Sequence, residues 1–303
     1  MKKRKSVLIL LVIFLVLCCV YAGLTIFKND KEKEKKEKEE ASIVYVTDLG
    51  DIEKICYDIG NGEMEFEKED GNWFYTSDRD FPLSQTYPEQ IAHTFGHLKA
   101  ERELKDGDTM EAYGLTDPSY KVTVMDTKGN EASIYYGDST SEGYYVTVDD
   151  TRRVFVVSSA SASDLQYSLE EMAQLDVFPS IGSGNLKEAA FTDSQGTRQY
   201  SSSKSEDTEA IAAIAGGLGA VTLSKVADYS VEEENLPAYG LHGEDVTTAS
   251  ITYTKDDEDA VLTIYMGSTD GHGNRYVMIN NSKIVYMLSE EICSNILYES
   301  ENS

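Results

Sequence analysis

The chain has 303 residues, with 27 lysines and arginines against 54 aspartates and glutamates, so its formal net charge at pH 7 is −27. A surface of that sign repels nucleic acid and anionic lipid headgroups, which bind to basic patches, and we expect no nucleic-acid partner. It favours solubility, and it also suits divalent cations or a basic partner protein.

The N-terminus predicts a membrane anchor followed by a stalk. A basic cap, residues 1–6, precedes an uncharged run over residues 7–27, which is long enough to cross a hydrocarbon core of about 30 Å. Residues 28–40 are almost all charged, which predicts a solvated stalk. The lysines and arginines before the run place the N-terminus in the cytoplasm and the bulk of the chain outside the cell membrane, as a single-pass protein. Cleavage after Ala22 or Gly23 is the alternative.

Residues 41–181 predict a first α+β unit. A hairpin turns at Asp70-Gly71, and a helix follows in which Ile91, Phe95 and Leu98 share one face. Ser163-Asp164 is predicted to cap a helix that ends the unit. The predicted strands are Ile43–Val46, Ile55–Tyr57, Met64–Glu67, Trp73–Tyr75, Val122–Val124, Ser133–Tyr136, Tyr144–Val148 and Val154–Val157.

Residues 182–303 predict a second α+β unit. A helix is predicted from Asp207 to Gly217, where the Gly216–Gly219 stretch is expected to stop it, and a last helix spans Glu290–Tyr298. The predicted strands are Leu186–Thr192, Gln199–Ser202, Ser250–Tyr253, Val261–Met266, Tyr276–Ile279 and Ile284–Leu288.

The two units restate one another in order. Glu111-Ala112-Tyr113-Gly114-Leu115 recurs as Pro237-Ala238-Tyr239-Gly240-Leu241, and Ile134-Tyr135-Tyr136-Gly137 recurs as Ile264-Tyr265-Met266-Gly267. We therefore expect two tandem copies of one unit, each an antiparallel sheet with helices on one face.

The repeated Tyr-Gly-Leu element is expected to be structural. A glycine permits a positive φ, and the flanking side chains can be buried on either side of the turn. The residues assigned to this structural motif are Tyr113, Gly114, Leu115, Tyr239, Gly240 and Leu241.

Paired tyrosines on two strands form a candidate interaction surface, made of Tyr135, Tyr136, Tyr144 and Tyr145. Neighbouring strand residues face opposite sides, so one tyrosine of each pair should point outward. Such a row suits a sugar polymer or a protein partner, and cross-strand packing is the competing and more common use.

No constellation of catalytic residues stands out. His93 and His97 have the i, i+4 spacing of a metal pair but face away from the apolar stripe, and the glutamate of a zinc protease is missing after His93. We expect no catalytic residue, no metal site and no cofactor. Cys56 and Cys293 leave a disulfide open, because the sequence gives no distance between them.

The order of Trp73, an apolar helix, Tyr113-Gly114-Leu115-x-Asp117-Pro118 and Tyr136-Gly137 resembles the bacterial domain-of-unknown-function family numbered forty-three-forty. The likeness extends in two repeats over residues 41–303 and is stronger in the first. It implies a membrane-anchored extracytoplasmic repeat protein without enzyme activity. It also implies an ABC transporter partner, a permease or auxiliary subunit, because such proteins are often encoded beside export-type transporters related to gliding motility.

The sequence thus predicts a non-catalytic accessory protein of an ABC-type export or surface-assembly system. The alternative is a binding module for a cell-envelope polymer or a cation.

Overall fold

The computed structural model describes residues 43–105, 107–149 and 151–298. The fold is α+β, as the sequence predicts, and its sheets are antiparallel. The predicted basic cap, membrane run and stalk lie outside the described residues. Within the described ranges, no helix is long and apolar enough to cross a membrane.

Seventeen strands and four α-helices make up the described chain. The helices are α1 (Thr86–Gly96), α2 (Ser159–Ser163), α3 (Thr208–Gly219) and α4 (Glu290–Leu297). The strands are β1 (Val44–Tyr45), β2 (Ile52–Asp58), β3 (Glu63–Glu69), β4 (Asn72–Tyr75), β5 (Lys99–Ala100), β6 (Arg102–Leu104), β7 (Tyr120–Asp126), β8 (Glu131–Ser139), β9 (Tyr144–Val148), β10 (Val154–Val157), β11 (Leu186–Asp193), β12 (Gly196–Ser201), β13 (Val226–Asp228), β14 (Thr247–Lys255), β15 (Glu258–Thr269), β16 (Asn274–Ile279) and β17 (Val285–Ser289).

Contacts between residues divide the described chain into two compact units. The first unit contains residues 43–64 and 90–166, and the second contains residues 65–89 and 167–298. Most of the hairpin β3–β4 and the first turn of α1 are therefore grouped with the second unit.

In the first unit, six strands of the main sheet follow the order β2-β7-β8-β9-β10-β6, and β1 pairs separately with β5. Its core face is apolar because alternate residues of the strands point inward, and Ile134, Val146 and Phe155 are fully buried there. Phe95 of α1 joins this core, with its ring centroid 6.4 Å from that of Tyr136.

The second unit contains the sheet β12-β11-β14-β15-β16-β17-β13. Its strands β11-β14-β15-β16-β17-β13 follow one another as the six strands of the first unit do. The core contains Ile251, Ile264 and Tyr286 from the sheet, together with Ile214 of α3 and Ile296 of α4.

Two hairpins close with two-residue loops in which both residues have positive φ. Asp70 and Gly71 have φ of 49° and 85°, and Asp256 and Asp257 have φ of 52° and 66°. This conformation matches the twist of the flanking strands. The first turn is the one predicted, and the second places a run of acidic residues at a hairpin tip.

The predicted end of the third helix is wrong. The Gly216–Gly219 stretch does not stop α3, which continues through Gly219. The reason is the close approach of α4: a Cβ added at Gly217 would lie 2.7 Å from the backbone N of Ile296. The glycine therefore makes room for a neighbouring helix.

The predicted cap at Ser163-Asp164 is also misplaced. The short helix α2 begins after Ser158, whose side chain accepts a hydrogen bond from the Ala160 N–H, and Asp164 follows the helix. The Asp164 carboxylate accepts hydrogen bonds from Gln90 at 2.8 Å and Thr94 at 2.7 Å. Asp164 thus connects the end of α2 to α1.

Candidate binding site

A tight corner precedes β7 in the first unit. The 3-10 turn Met110–Tyr113 ends at Gly114, whose φ is 69° and whose N–H points to the Glu111 and Met110 carbonyls. The Leu115 N–H donates to the Met110 carbonyl at 2.9 Å. The left-handed conformation at Gly114 would strain any residue with a Cβ.

Gly137 of β8 lies directly beneath this corner. A Cβ added at Gly137 would lie 2.1 Å from the Tyr113 carbonyl oxygen, which is far inside van der Waals contact. The corner therefore rests on the backbone of the sheet, and this contact requires a glycine in the strand.

The second unit contains the same arrangement before β14. Gly240 ends the 3-10 helix Glu233–Tyr239 with a φ of 64°, and a Cβ at Gly267 of β15 would lie 2.1 Å from the Tyr239 carbonyl oxygen. We call the two turns, Tyr113–Leu115 and Tyr239–Leu241, the Tyr-Gly-Leu corners. The leucines are buried, at 7% and 8% exposure.

The tyrosine of each corner packs on a tyrosine of the sheet. The ring centroids of Tyr113 and Tyr145 are 4.7 Å apart, and those of Tyr239 and Tyr276 are 5.1 Å apart. Tyr145 is therefore partly covered by its own corner.

The four tyrosines of the candidate interaction surface separate into two faces. Tyr136 is fully buried and donates a hydrogen bond to Ser161 at 2.8 Å, and burial raises the pKa of its phenol. The Tyr144 ring packs against it at 5.8 Å. Tyr136 therefore belongs to the core and is no part of an exposed row. Tyr135 and Tyr145 lie on the opposite face and are half-buried.

A cavity of about 650 Å³ lies beside Tyr135 and the first corner. The lining of this first-unit cavity includes the apolar residues Met110, Leu115 and Pro118, together with one carboxylate and one guanidinium. Its volume falls in the range of small-molecule sites, about 300–1,000 Å³. Its lining residues are Met110, Leu115, Thr116, Pro118, Tyr135, Thr147, Asp149 and Arg152.

Thr147 contributes a buried hydroxyl to this lining. The residue is only 5% exposed, and its Oγ1 has no hydrogen-bond partner among the described residues. A buried polar atom in that state is uncommon in native proteins. Thr147 pairs across the sheet with Tyr135, which pairs in turn with Lys121.

Asp149 and Arg152 lie in the turn after β9. Both have positive φ, of 48° and 55°. The Asp149 carboxylate accepts a hydrogen bond from the Ser133 N–H at 2.8 Å, and its own N–H donates to the Ser133 carbonyl at 2.8 Å. These bonds fix the carboxylate at the edge of the cavity. The sequence did not predict Thr147, Asp149 or Arg152 as site residues, because residues from a strand and a turn come together there only in the fold.

The same place in the second unit is packed differently. Asn280 repeats the Asp149 geometry, exchanging hydrogen bonds with Thr263 at 2.8 and 3.0 Å. Met278 pairs with Tyr265 as Thr147 pairs with Tyr135. Met278 packs against an apolar cluster of Val231, Leu241 and Val285.

His93 of α1 and His97, in the turn after it, are both exposed. The helix ends at Gly96, so the predicted helical spacing of the two histidines is wrong, and Leu98 also lies beyond the helix. His97 lies 2.9 Å from the Asp48 carboxylate, and Glu89, next to the pair in sequence, accepts from the Trp73 indole N–H at 2.8 Å. In the described part of the chain, no three histidines, cysteines or acidic residues are grouped so that they could hold a metal ion.

The two cysteines for which the sequence leaves a disulfide open lie in different units. Cys56 is half-buried in β2 of the first unit, and Cys293 is buried in α4 within the core of the second unit.

Comparison with known proteins finds a similarity over part of the chain. Residues 73–210 match the family described as Domain of unknown function (DUF4340). Over these residues the chain is similar to the DUF4340 family. The DUF4340 segment includes Trp73, the first Tyr-Gly-Leu corner and the first-unit cavity. No curated protein and no solved structure matches the chain.

Proposed function

We propose that this protein is a non-catalytic, membrane-anchored accessory protein that presents its folded part outside the cell to an ABC-type export or surface-assembly system. In this proposal, residues 7–27 form one transmembrane helix, and the described residues form two tandem copies of one α+β unit.

The observation that carries the proposal is the duplicated corner. In both units six sheet strands follow one order, and a Tyr-Gly-Leu corner rests on a strand glycine. A Cβ added at Gly137 or at Gly267 would lie 2.1 Å from the tyrosine carbonyl oxygen of its corner. The repeated positions serve packing, as expected for a scaffold that presents surfaces to partners. A duplicated scaffold without shared reactive groups supports an interaction role.

The membrane part of the proposal is supported by the sequence. Residues 7–27 are uncharged and follow a basic cap, which favours an anchor with its N-terminus in the cytoplasm. The partner class is supported by the DUF4340 match over residues 73–210 and by the resemblance described above.

Co-purification from native membranes tests this function. The full-length chain is cross-linked briefly, extracted in mild detergent and identified with its partners by mass spectrometry. We expect an ABC permease and its ATPase to be recovered. A matched chain in which residues 7–27 are replaced by an unrelated apolar span should recover less permease, since the span is proposed to contact it. Recovery of the wild-type chain alone would contradict the proposal.

A binding module for a cell-envelope polymer is the second candidate, and the first-unit cavity beside Tyr135 favours it. Replacement of Tyr135 and Tyr145 by alanine should then abolish retention on isolated envelope polymer. Tyr136→Ala is unsuitable for this test, because Tyr136 is fully buried and its loss damages the core.

A further inference from the structure

The two units differ where their scaffolds otherwise correspond. In the first unit, Lys121, Tyr135 and Thr147 are neighbours across three adjacent strands. In the second unit, Thr248, Tyr265 and Met278 occupy the corresponding positions. The central tyrosine is present in both rows. The neighbour on the third strand is a threonine in one and a methionine in the other.

The methionine fits a purely structural position and the threonine does not. Met278 fills space against Val231, Leu241 and Val285, as a flexible apolar side chain does in a core. Thr147 leaves a buried hydroxyl without a partner among the described residues and borders an open cavity. Since an unsatisfied buried hydroxyl opposes folding, its presence indicates a role that packing does not explain.

The lining of the first-unit cavity indicates which ligand it suits. Asp149 and Arg152 are the charged residues of the lining, and their charges are opposite. The net charge of −27 disfavours an anion, and the guanidinium disfavours a cation. A neutral ligand is therefore the best match electrostatically.

The same lining combines an aromatic ring with several groups that form hydrogen bonds. Tyr135 offers a half-buried ring, and Lys121 Nζ lies 6.0 Å from its centroid. Thr147 can donate and accept, Asp149 accepts, and Arg152 donates. Ligands with alternating hydroxyl groups and C–H faces satisfy such a mixture of polar and apolar contacts.

We propose that the first-unit cavity binds a neutral saccharide of one or two sugar rings. A sugar hydroxyl supplies the partner that the Thr147 hydroxyl lacks, other hydroxyls bond to Asp149 and Arg152, and the C–H face of a ring lies against Tyr135. The second unit, with Met278 in the corresponding place, does not bind the same ligand there. This inference goes beyond the accessory role and does not depend on an ABC partner.

Ligand-observed NMR on the full-length chain tests the site. The protein is kept in a detergent without a sugar headgroup, and saturation transfer to maltose, cellobiose and N,N′-diacetylchitobiose is measured. We expect transfer to at least one of them. Thr147→Met, which introduces the residue of the second unit, should weaken binding by about tenfold or more, because it fills the cavity and removes the hydroxyl.

The reciprocal variant Met278→Thr is the matched control and should leave saturation transfer unchanged. Circular dichroism establishes that both variants are folded, and Tyr135→Leu replaces Thr147→Met if the latter does not fold. Absence of transfer to all three sugars, equal transfer in wild type and Thr147→Met, or preference for a free amino acid over the sugars would overturn the inference. The co-purification result is unaffected by any of these outcomes.

Discussion

At the scale of single residues, one aspartate organises the turn between β7 and β8. The Asp126 side chain is 1% exposed and accepts hydrogen bonds from the Asn130 side-chain amide at 2.9 Å and from the N–H groups of Gly50, Lys128 and Asn130. The Asn130 amide, with these backbone groups, holds the pKa of Asp126 at about 2, against the opposing effect of burial. The pKa of Asp270 is likewise lowered to about 2, and the hydrogen bond from the Asn274 side-chain amide is the main cause.

These lowered pKa values predict acid sensitivity. The folded state favours the ionised carboxylate, so the stabilisation is fully present above a pH of about 4 and is lost as the pH falls towards 2. Urea unfolding at pH values between 2 and 5 measures this slope. Asp126→Asn should lower the free energy of unfolding at pH 7 and flatten the slope below pH 4. An unchanged slope would show that Asp126 does not titrate with folding.

Some features of single residues could be predicted from the local sequence, and others could not. A positive φ at Gly114 and Gly240 follows from the local Tyr-Gly-Leu pattern, since few other residues adopt that conformation. The glycine beneath each corner, by contrast, meets a carbonyl from a distant part of the chain. Thr147 was not predicted for the same reason: in the sequence it is one alternating strand residue among others.

At the scale of elements, strands rich in β-branched and aromatic residues were predicted best. The predicted bounds of Tyr144–Val148 and Val154–Val157 agree with β9 and β10 as observed. The edge strands β5, β6 and β13 have two or three residues, too few for a periodic pattern, and were not predicted. The end of α3 was predicted wrongly because packing against α4 outweighs the low helix propensity of glycine.

Two adjacent glycines of α3 provide a matched pair of variants. Gly217→Ala should destabilise the second unit by about 1–3 kcal/mol, because the new methyl group would meet the backbone of α4. Gly216→Ala should stabilise it by about 0.5–1 kcal/mol, because nothing lies within 4 Å of the new Cβ and alanine favours a helix. Urea unfolding followed by circular dichroism measures both. Equal effects of the two substitutions would contradict the close approach of α4.

At the scale of the whole molecule, net charge is the dominant electrostatic feature. The ion pairs of the described residues are mainly exposed, such as Arg79–Glu69 and Arg102–Glu142, and each contributes about 0–1 kcal/mol at most. They offset little of the repulsion expected from a net charge of −27.

Salt should therefore stabilise the fold. Raising sodium chloride from about 0.01 to 0.15 M shortens the Debye length from about 30 to 8 Å, which screens repulsion between distant carboxylates. We expect the urea midpoint at pH 7 to rise over that range. A midpoint that falls with salt would mean that the exposed ion pairs outweigh the repulsion. The sequence alone predicts this behaviour, since it depends on composition more than on the fold.

The glycine beneath each corner also limits which substitutions the protein can accept during evolution. The contacts that exclude a Cβ at Gly137 and Gly267 involve carbonyl oxygens, which every amino acid carries, so a mutation in the corner cannot relieve a mutation in the strand. We expect lineages of this protein to exchange the tyrosine or leucine of a corner more readily than either glycine. Distant relatives are then better recognised by two glycines, one ending a turn and one within the next hairpin, than by aromatic residues.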